Sequence, residues 1–178
     1  MKQKAPIIFF GSSKLVLPII ETLNNNYDLK IVVTTERESS QAIPAYCNKH
    51  QIPHISIQQF NNTTIQQLAS YKFPLAVLAD FGLIVPDEVL NAFPKGIINV
   101  HPSLLPKFRG PTPVQSAILA GEKETGVSII RLDNAVDHGP LLAQEKEPIS
   151  DEDTAETLHE KLFTKGAELL SKVLPDYI

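Results

Sequence analysis

The chain has 178 residues, 43% of them hydrophobic and 20% charged, which is enough for one domain with its own core. Sixteen Lys and Arg against twenty Asp and Glu leave a formal charge of −4, so no global basic field gathers nucleic acid and any RNA must be met by a local patch. A single cysteine excludes an internal disulfide, and no apolar run approaches the roughly 20 residues that a membrane span needs.

The start, MKQKAPIIFFG, is basic and then apolar, but Gly11 interrupts the apolar run too early for a signal peptide. A soluble, cytoplasmic protein in a reducing compartment is expected, with no membrane partner. Cys47 has no metal-ligand spacing around it and reads as a small apolar filler, so neither a structural zinc nor any other metal is expected.

In chain order, PIIFF (6–10) is a compact apolar run closed by Gly11, and SSKLVLPIIETLNNN carries apolar residues at helical spacing before an Asn-rich stop. LKIVVTT (29–35) is a second buried-strand pattern, PAYCNKH (44–50) a helix end, and IPHIS (52–56) a short extended piece. NTTIQQLASY (62–71) resembles a capped helix leading into the apolar run PLAVLAD (74–80), and GIINV (96–100) is one more strand. VQSAILAG (114–121) reads as a helix. TGVSIIRL (125–132) and PLLAQEKEPI (140–149) alternate with period two, as an antiparallel pair on one edge does. A long amphipathic helix over 153–174 closes the chain, with Asp153 or Thr154 as its cap. Short apolar strands alternating with helices predict a Rossmann-like α/β fold: an open, mostly parallel sheet, helices on both faces, and an antiparallel edge.

Ligands in such sheets sit at the carboxyl ends of the strands, which is where Asn99 and His101 fall. Side chains two apart on a strand point the same way, so this pair can converge on one point. Asn offers a neutral donor and His a titratable one, the chemistry that a developing oxyanion on a carbonyl carbon requires. The prolines of SLLP (103–106) and GPTP (110–113) stiffen the loop that follows. An imidazole also needs a partner to set its tautomer. Asp137, in the loop LDNAVDHGP (132–140), is the candidate carboxylate, while Asp133 or His138 could serve on sequence alone.

FGLIVP (81–86), after a strand, suits the lining of a flat ring, although Leu83 and Ile84 also read as ordinary core. GSSK (11–14) lacks the second glycine and the Gly-Lys-Ser/Thr pattern of a phosphate loop. Lys107 and Arg109 read either as solvated charges or as phosphate contacts.

INVHPSLLPKFRGPTPVQSAILAGEKETGVSII followed by VDHGPLL closely resembles the formyltransferase family that uses 10-formyltetrahydrofolate, and within it the catalytic domain of the branch acting on methionyl-tRNA. The resemblance runs from IIFFG to LPDYI, with Asn-x-His-x-Ser-Leu-Leu-Pro, Arg-Gly, Glu-Thr-Gly-Val and Asp-x-Gly-Pro in order. It implies one formyltransferase catalytic domain over 1–178 and a catalytic triad of Asn99, His101 and Asp137. In that triad Asn99 and protonated His101 stabilise the oxyanion formed when an amine attacks the formyl carbon, and Asp137 supports the imidazolium. It further implies folate contacts at Ser103, Leu104, Leu105 and Pro106, at Phe81, Gly82, Leu83 and Ile84, and at Asn134, Ala135, Val136, His138 and Gly139.

Acceptor contacts implied by the same resemblance are Gly11, Ser12, Ser13, Lys14, Arg37, Lys107 and Arg109. The implied partners are the folate and initiator methionyl-tRNA, with a monomer expected. Two departures bear on the acceptor. The family branch carries a longer basic loop where TTERESSQAIPAYCNKH places Arg37 between two glutamates, and it continues into a C-terminal β-barrel that is expected to be absent here, since the sequence stops at Ile178. Formylation of an amino-sugar nucleotide is therefore the alternative reading, and a folate-binding module without turnover a third.

Overall fold

A computed structural model describes residues 4–178; the first three, part of the basic start, lie outside the described residues. The chain divides into two compact units, Met1–Ile98 with Ile178, and Asn99–Tyr177. The division falls inside one strand.

In the first unit, β1 (Pro6–Gly11) pairs in parallel with β2 (Asp28–Thr35) and with β4 (Leu75–Ala79), and β2 pairs in parallel with β3 (His54–Ile57). Parallel neighbours need crossovers, which α1 (Leu17–Asn26), α2 (Ala42–Lys49) and α3 (Asn62–Ser70) supply. Ile7, Ile8, Phe9 and Phe10 are all fully buried, which explains why the strand reads as an unbroken apolar run rather than an alternation. The helix expected straight after Gly11 begins later. Ser13 is extended, Lys14–Val16 form a 3₁₀ turn, and α1 opens with Pro18 in its first turn, where a missing N–H costs nothing. The cap of α3 is Asn61, whose Oδ1 accepts from the Thr64 amide at 2.9 Å. A one-turn helix, α4 (Asp87–Leu90), has no counterpart in the sequence reading, because four residues after a proline carry no readable period.

The strand β5 (Ile97–His101) leads into the second unit, which holds α5 (Pro113–Leu119), β6 (Glu124–Arg131), β7 (Leu141–Pro148) and α6 (Ala155–Tyr177). β6 and β7 pair antiparallel from Glu124↔Pro148 to Ile130↔Leu141 as expected, but only β7 alternates in burial; β6 is buried on both faces from Thr125 to Ile130, which corrects its half-exposed, period-two reading. The sheet order is β3-β2-β1-β4-β5-β6-β7, so the fold is the expected mostly parallel sheet with an antiparallel edge. Helix α6 buries Leu158, Leu162, Phe163, Leu170 and Leu174, and Leu158 and Leu162 cluster with Val114 of α5. Of the two candidate caps, Thr154 fills the position: its Oγ1 accepts from the Thr157 amide at 3.2 Å, while Asp153 accepts from the Ser150 amide and binds Lys161. Gly166 lets α6 lie close to the sheet, because a Cβ there would stand 2.7 Å from Val100 Cγ1.

Cys47 is fully buried, and burial pushes its thiol up to about 11, which suits the filler role read from sequence. Among the described residues, no helix is long and apolar enough to cross a membrane.

Candidate active site

All three residues of the implied triad lie in the second unit, and the structure brings them together. Asn99 and His101 sit at the end of β5, both about nineteen-twentieths buried. Asn99 Nδ2 donates to Asp137 Oδ1 at 3.0 Å, and the Gly110 amide donates to Asp137 Oδ2 at 2.9 Å. One carboxylate thus ties the loop after β5 to the loop between β6 and β7. His101 Nδ1 stands 3.6 Å from Asp137 Oδ2, with the two side chains 6% and 11% exposed.

The tautomer of His101 follows from its other contact. Nε2 lies 3.0 Å from the Phe108 carbonyl oxygen, and a carbonyl only accepts, so Nε2 carries the hydrogen. Nδ1 is then the nitrogen that faces Asp137. Phe108 and Asp137 both adopt positive φ, +55° and +46°, and Gly110, which binds Asp137, has φ +93°. A non-glycine residue in this region carries about 1–2 kcal/mol of backbone strain, and here two such residues present the groups that contact His101.

The alternatives to Asp137 are placed elsewhere on the same loop. Asp133 Oδ2 pairs with His138 Nδ1 at 2.9 Å, and its Oδ1 accepts from the Ala135 amide at 3.0 Å. The His138 hydrogen bond, followed by that amide, holds the Asp133 carboxyl below its ordinary value, with exposed Arg109 adding a smaller effect. The loop's neck is closed by Gly139, where a Cβ would fall 1.8 Å from the Arg131 carbonyl oxygen, and by the Arg131 amide donating to Pro140 O at 3.0 Å. Between neck and Asp137, Asn134, Ala135, Val136 and His138 are all exposed, Val136 being 62% exposed.

Ser103 is fully buried, and its Oγ donates to Lys107 O at 2.7 Å, so it staples its own loop. Leu104 and Leu105 are half-buried, Pro106 is exposed and the Leu105–Pro106 peptide is cis. Lys107 pairs with Glu122 at 2.8 Å.

The remaining predicted residues belong to the first unit. Phe81 is buried edge-on to Phe10 at 5.3 Å, whereas Gly82 is exposed at φ +73°, Leu83 is half-buried and Ile84 is 87% exposed. The core reading of Ile84 is therefore corrected: the chain turns outward at Gly82 and leaves it in solvent. Ser12 is consumed internally, its amide donating to Asp80 O, its hydroxyl to Phe81 O, and its carbonyl accepting from Ser40 Oγ. Gly11 has no room for a side chain beside Phe9 and Val16. Ser13 Oγ is buried and makes no hydrogen bond, and Lys14 lies in the 3₁₀ turn. Arg37 Nη2 donates to Gly82 O at 3.0 Å beside an open cavity of about 470 Å³ that Glu36, Glu38 and Ser40 also line.

Sequence reasoning missed Phe108 and Gly110, which act through backbone atoms that carry no residue-type signal.

The profile of the formyl transferase family matches residues 8–174. Over 177 residues the chain is 36% identical to a methionyl-tRNA formyltransferase of Thermus thermophilus, covering 94% of this chain and 58% of that protein. It is 51% identical over 109 residues to the methionyl-tRNA formyltransferase of Wolbachia sp. subsp. Drosophila simulans (strain wRi), covering 61% of this chain and 36% of that one. The match thus spans little more than half the length of the Thermus thermophilus protein and about a third of the Wolbachia one. Its fold is similar to that of the phosphoribosylglycinamide formyltransferase from Streptococcus pneumoniae TIGR4, with a TM-score of 0.83, 20% identity and 98% of both chains covered.

Proposed function

Because the chain belongs to the formyl transferase family, we propose that it transfers a formyl group from 10-formyltetrahydrofolate to the amino group of methionyl-tRNA in the cytoplasm. The observation that carries this reading is the buried cluster in which Asp137 holds the Asn99 amide and faces His101 Nδ1.

10-Formyltetrahydrofolate, when bound, supplies an electrophilic formyl carbon. The residues at hand fit such a donor: the buried Asn99 amide and His101 imidazole offer donors, and exposed Val136 is the neighbour in sequence of Asp137, which binds that amide. Asn99 Nδ2 has two hydrogens and gives one to Asp137, so the second is available to the formyl oxygen as negative charge gathers there. His101, protonated at Nδ1, is the second donor. Phe108 holds its ring so that Nδ1 rather than Nε2 does this work. Asp137 faces the imidazole and accepts, directly or through water, the proton released by the attacking amine. That proton is returned to the departing folate nitrogen as the carbon–nitrogen bond to the donor breaks, so atoms and charge balance.

The acceptor is the point on which a second reading rests. Arg37 is tied to a backbone carbonyl and flanked by Glu36 and Glu38, an arrangement poor in free positive charge for an RNA stem, which favours an amino-sugar nucleotide. Identity with the methionyl-tRNA enzymes along nearly the whole chain supports the first reading more strongly. Incubating the protein with 10-formyltetrahydrofolate and, separately, methionyl-tRNA and amino-sugar nucleotides decides between them. Formylation of methionyl-tRNA alone is expected. Formylation of the sugar alone transfers the assignment to the second reading, and folate binding with neither product reduces the chain to a binding module.

A further inference from the structure

Ser128 lies on β6, fully buried, and belongs to neither the triad nor the implied folate and acceptor contacts. Its hydroxyl donates to Ser103 O at 2.6 Å, accepts from the Leu105 amide at 3.1 Å, and accepts from Gln144 Nε2 at 2.9 Å. A serine hydroxyl has one hydrogen and two lone pairs, so all three are spent on this contact set. The Gln144 amide also donates to Leu105 O at 2.8 Å. Leu105 is therefore gripped at both its N–H and its C=O from the antiparallel edge, and Ser103 at its C=O.

These two residues begin the loop that returns to His101. Ser103 Oγ donates to Lys107 O, the Lys107 amide donates to Leu104 O at 3.1 Å, and the next carbonyl, that of Phe108, meets His101 Nε2. Gripping the loop's start fixes its end. We propose that Ser128 and Gln144 are positioning residues that hold the 103–108 loop so that the Phe108 carbonyl keeps His101 as the Nε2–H tautomer, with Nδ1 free to work. The proposal builds on the assignment of His101 to formyl transfer, but the tautomer itself is observable without turnover.

Gln144 is exposed, so its replacement does not disturb the core, and Gln144→Glu keeps the shape while replacing the donor by an oxygen that repels Leu105 O. ¹⁵N-histidine NMR of the neutral ring is expected to show His101 as Nε2–H in the unsubstituted protein and as a mixture with Nδ1–H in Gln144→Glu and Ser128→Ala. In formyl transfer, both variants are expected to lose about tenfold in kcat with an unchanged KM for methionyl-tRNA, because small misplacement of a reacting group costs rate rather than acceptor affinity. An unchanged tautomer in Gln144→Glu, or a variant kcat equal to that of the unsubstituted protein, overturns the proposal. If the unsubstituted protein transfers no formyl group, it is the proposed function that fails, and the NMR result alone decides this inference. If Ser128→Ala does not fold, Gln144→Glu still decides it.

Discussion

Asn99 and Asp137, 38 residues apart in sequence, meet through a 3.0 Å hydrogen bond from Nδ2 to Oδ1, and the second oxygen of the same carboxylate is held by the Gly110 amide. Both partners of Asp137 are donors. An amide at position 137 would have to turn an NH₂ toward one of them. Asp137→Asn is therefore expected to cut turnover by at least about 10²-fold and to cost about 1–3 kcal/mol of stability. His101→Ala is expected to lose at least about 10²-fold in turnover as well. Rates at saturating donor and acceptor, with a urea titration of each variant, check both figures. A variant at the unsubstituted rate removes that residue from the mechanism.

Two glycines of the second unit should respond unequally to alanine. At Gly139 the added Cβ falls 1.8 Å from a backbone oxygen that cannot step aside, so Gly139→Ala is expected to abolish the folded loop and with it activity. At Gly166 the obstacles are side-chain methyls, of Val100 at 2.7 Å and Val127 at 3.3 Å, and the cost of overpacking them is partly offset because alanine favours helix by roughly 1 kcal/mol over glycine. Gly166→Ala should stay within about 2 kcal/mol of the unsubstituted protein by thermal unfolding. Equal losses at the two sites would mean that the neck of the 132–140 loop is softer than its close contacts imply.

Lys165 of α6 bridges Glu145 and Glu147 of β7, each at 3.1 Å. These carboxylates, Glu147 foremost, raise the Lys165 ammonium above its ordinary 10.5, so its contribution is whole below that value and is lost as pH rises through the folded one. The Glu145 carboxyl is lowered from 4.5, chiefly by Lys165, so its share is present above that value and is lost as pH falls through the folded one. Lys165→Met is expected to cost roughly 1 kcal/mol at neutral pH, the upper range for a partly exposed pair. The deficit should shrink at both acid and alkaline extremes when urea midpoints are compared across pH. A deficit that stays constant with pH would assign the loss to packing of the side-chain stem.

Tetrahydrofolate should bind without any acceptor and without a divalent ion, because the proposed donor contacts are side chains and backbone groups of the protein alone. Calorimetry with and without EDTA tests this. Binding only in the presence of a metal would refute the donor-site assignment.

Binding of tRNA should be weak and weakly dependent on salt. Lys107 is paired with Glu122, Arg37 is tied to Gly82, and the net charge is −4, so no more than about three phosphate contacts are expected from these residues. Each contact contributes roughly −0.7 to −0.9 to the slope of log affinity against log salt. Filter binding of initiator tRNA across a salt series should give a shallow line, and a steep one would place the RNA grip on other cations of the chain.

The elements of the sheet were legible because burial on both faces leaves long apolar runs such as IIFF, and because half-exposed β7 alternates with period two. Asn99 and His101 were legible as a pair for the same local reason, since a strand sends residues two apart to one side. Choosing Asp137 over Asp133 and His138 was a different matter. All three lie within six positions of one loop, and only the folded backbone, with Asp137 at φ +46°, turns one toward His101 and leaves the other two paired with each other. The tautomer of His101 depends on a carbonyl oxygen, which every residue type possesses, so no reading of side chains could have found Phe108. Hydrophobic periodicity reports which face of an element is buried and is written in the sequence. The direction of a loop's backbone groups depends on contacts between distant segments, here Ser128 and Gln144 with Leu105, and exists only once the chain has folded.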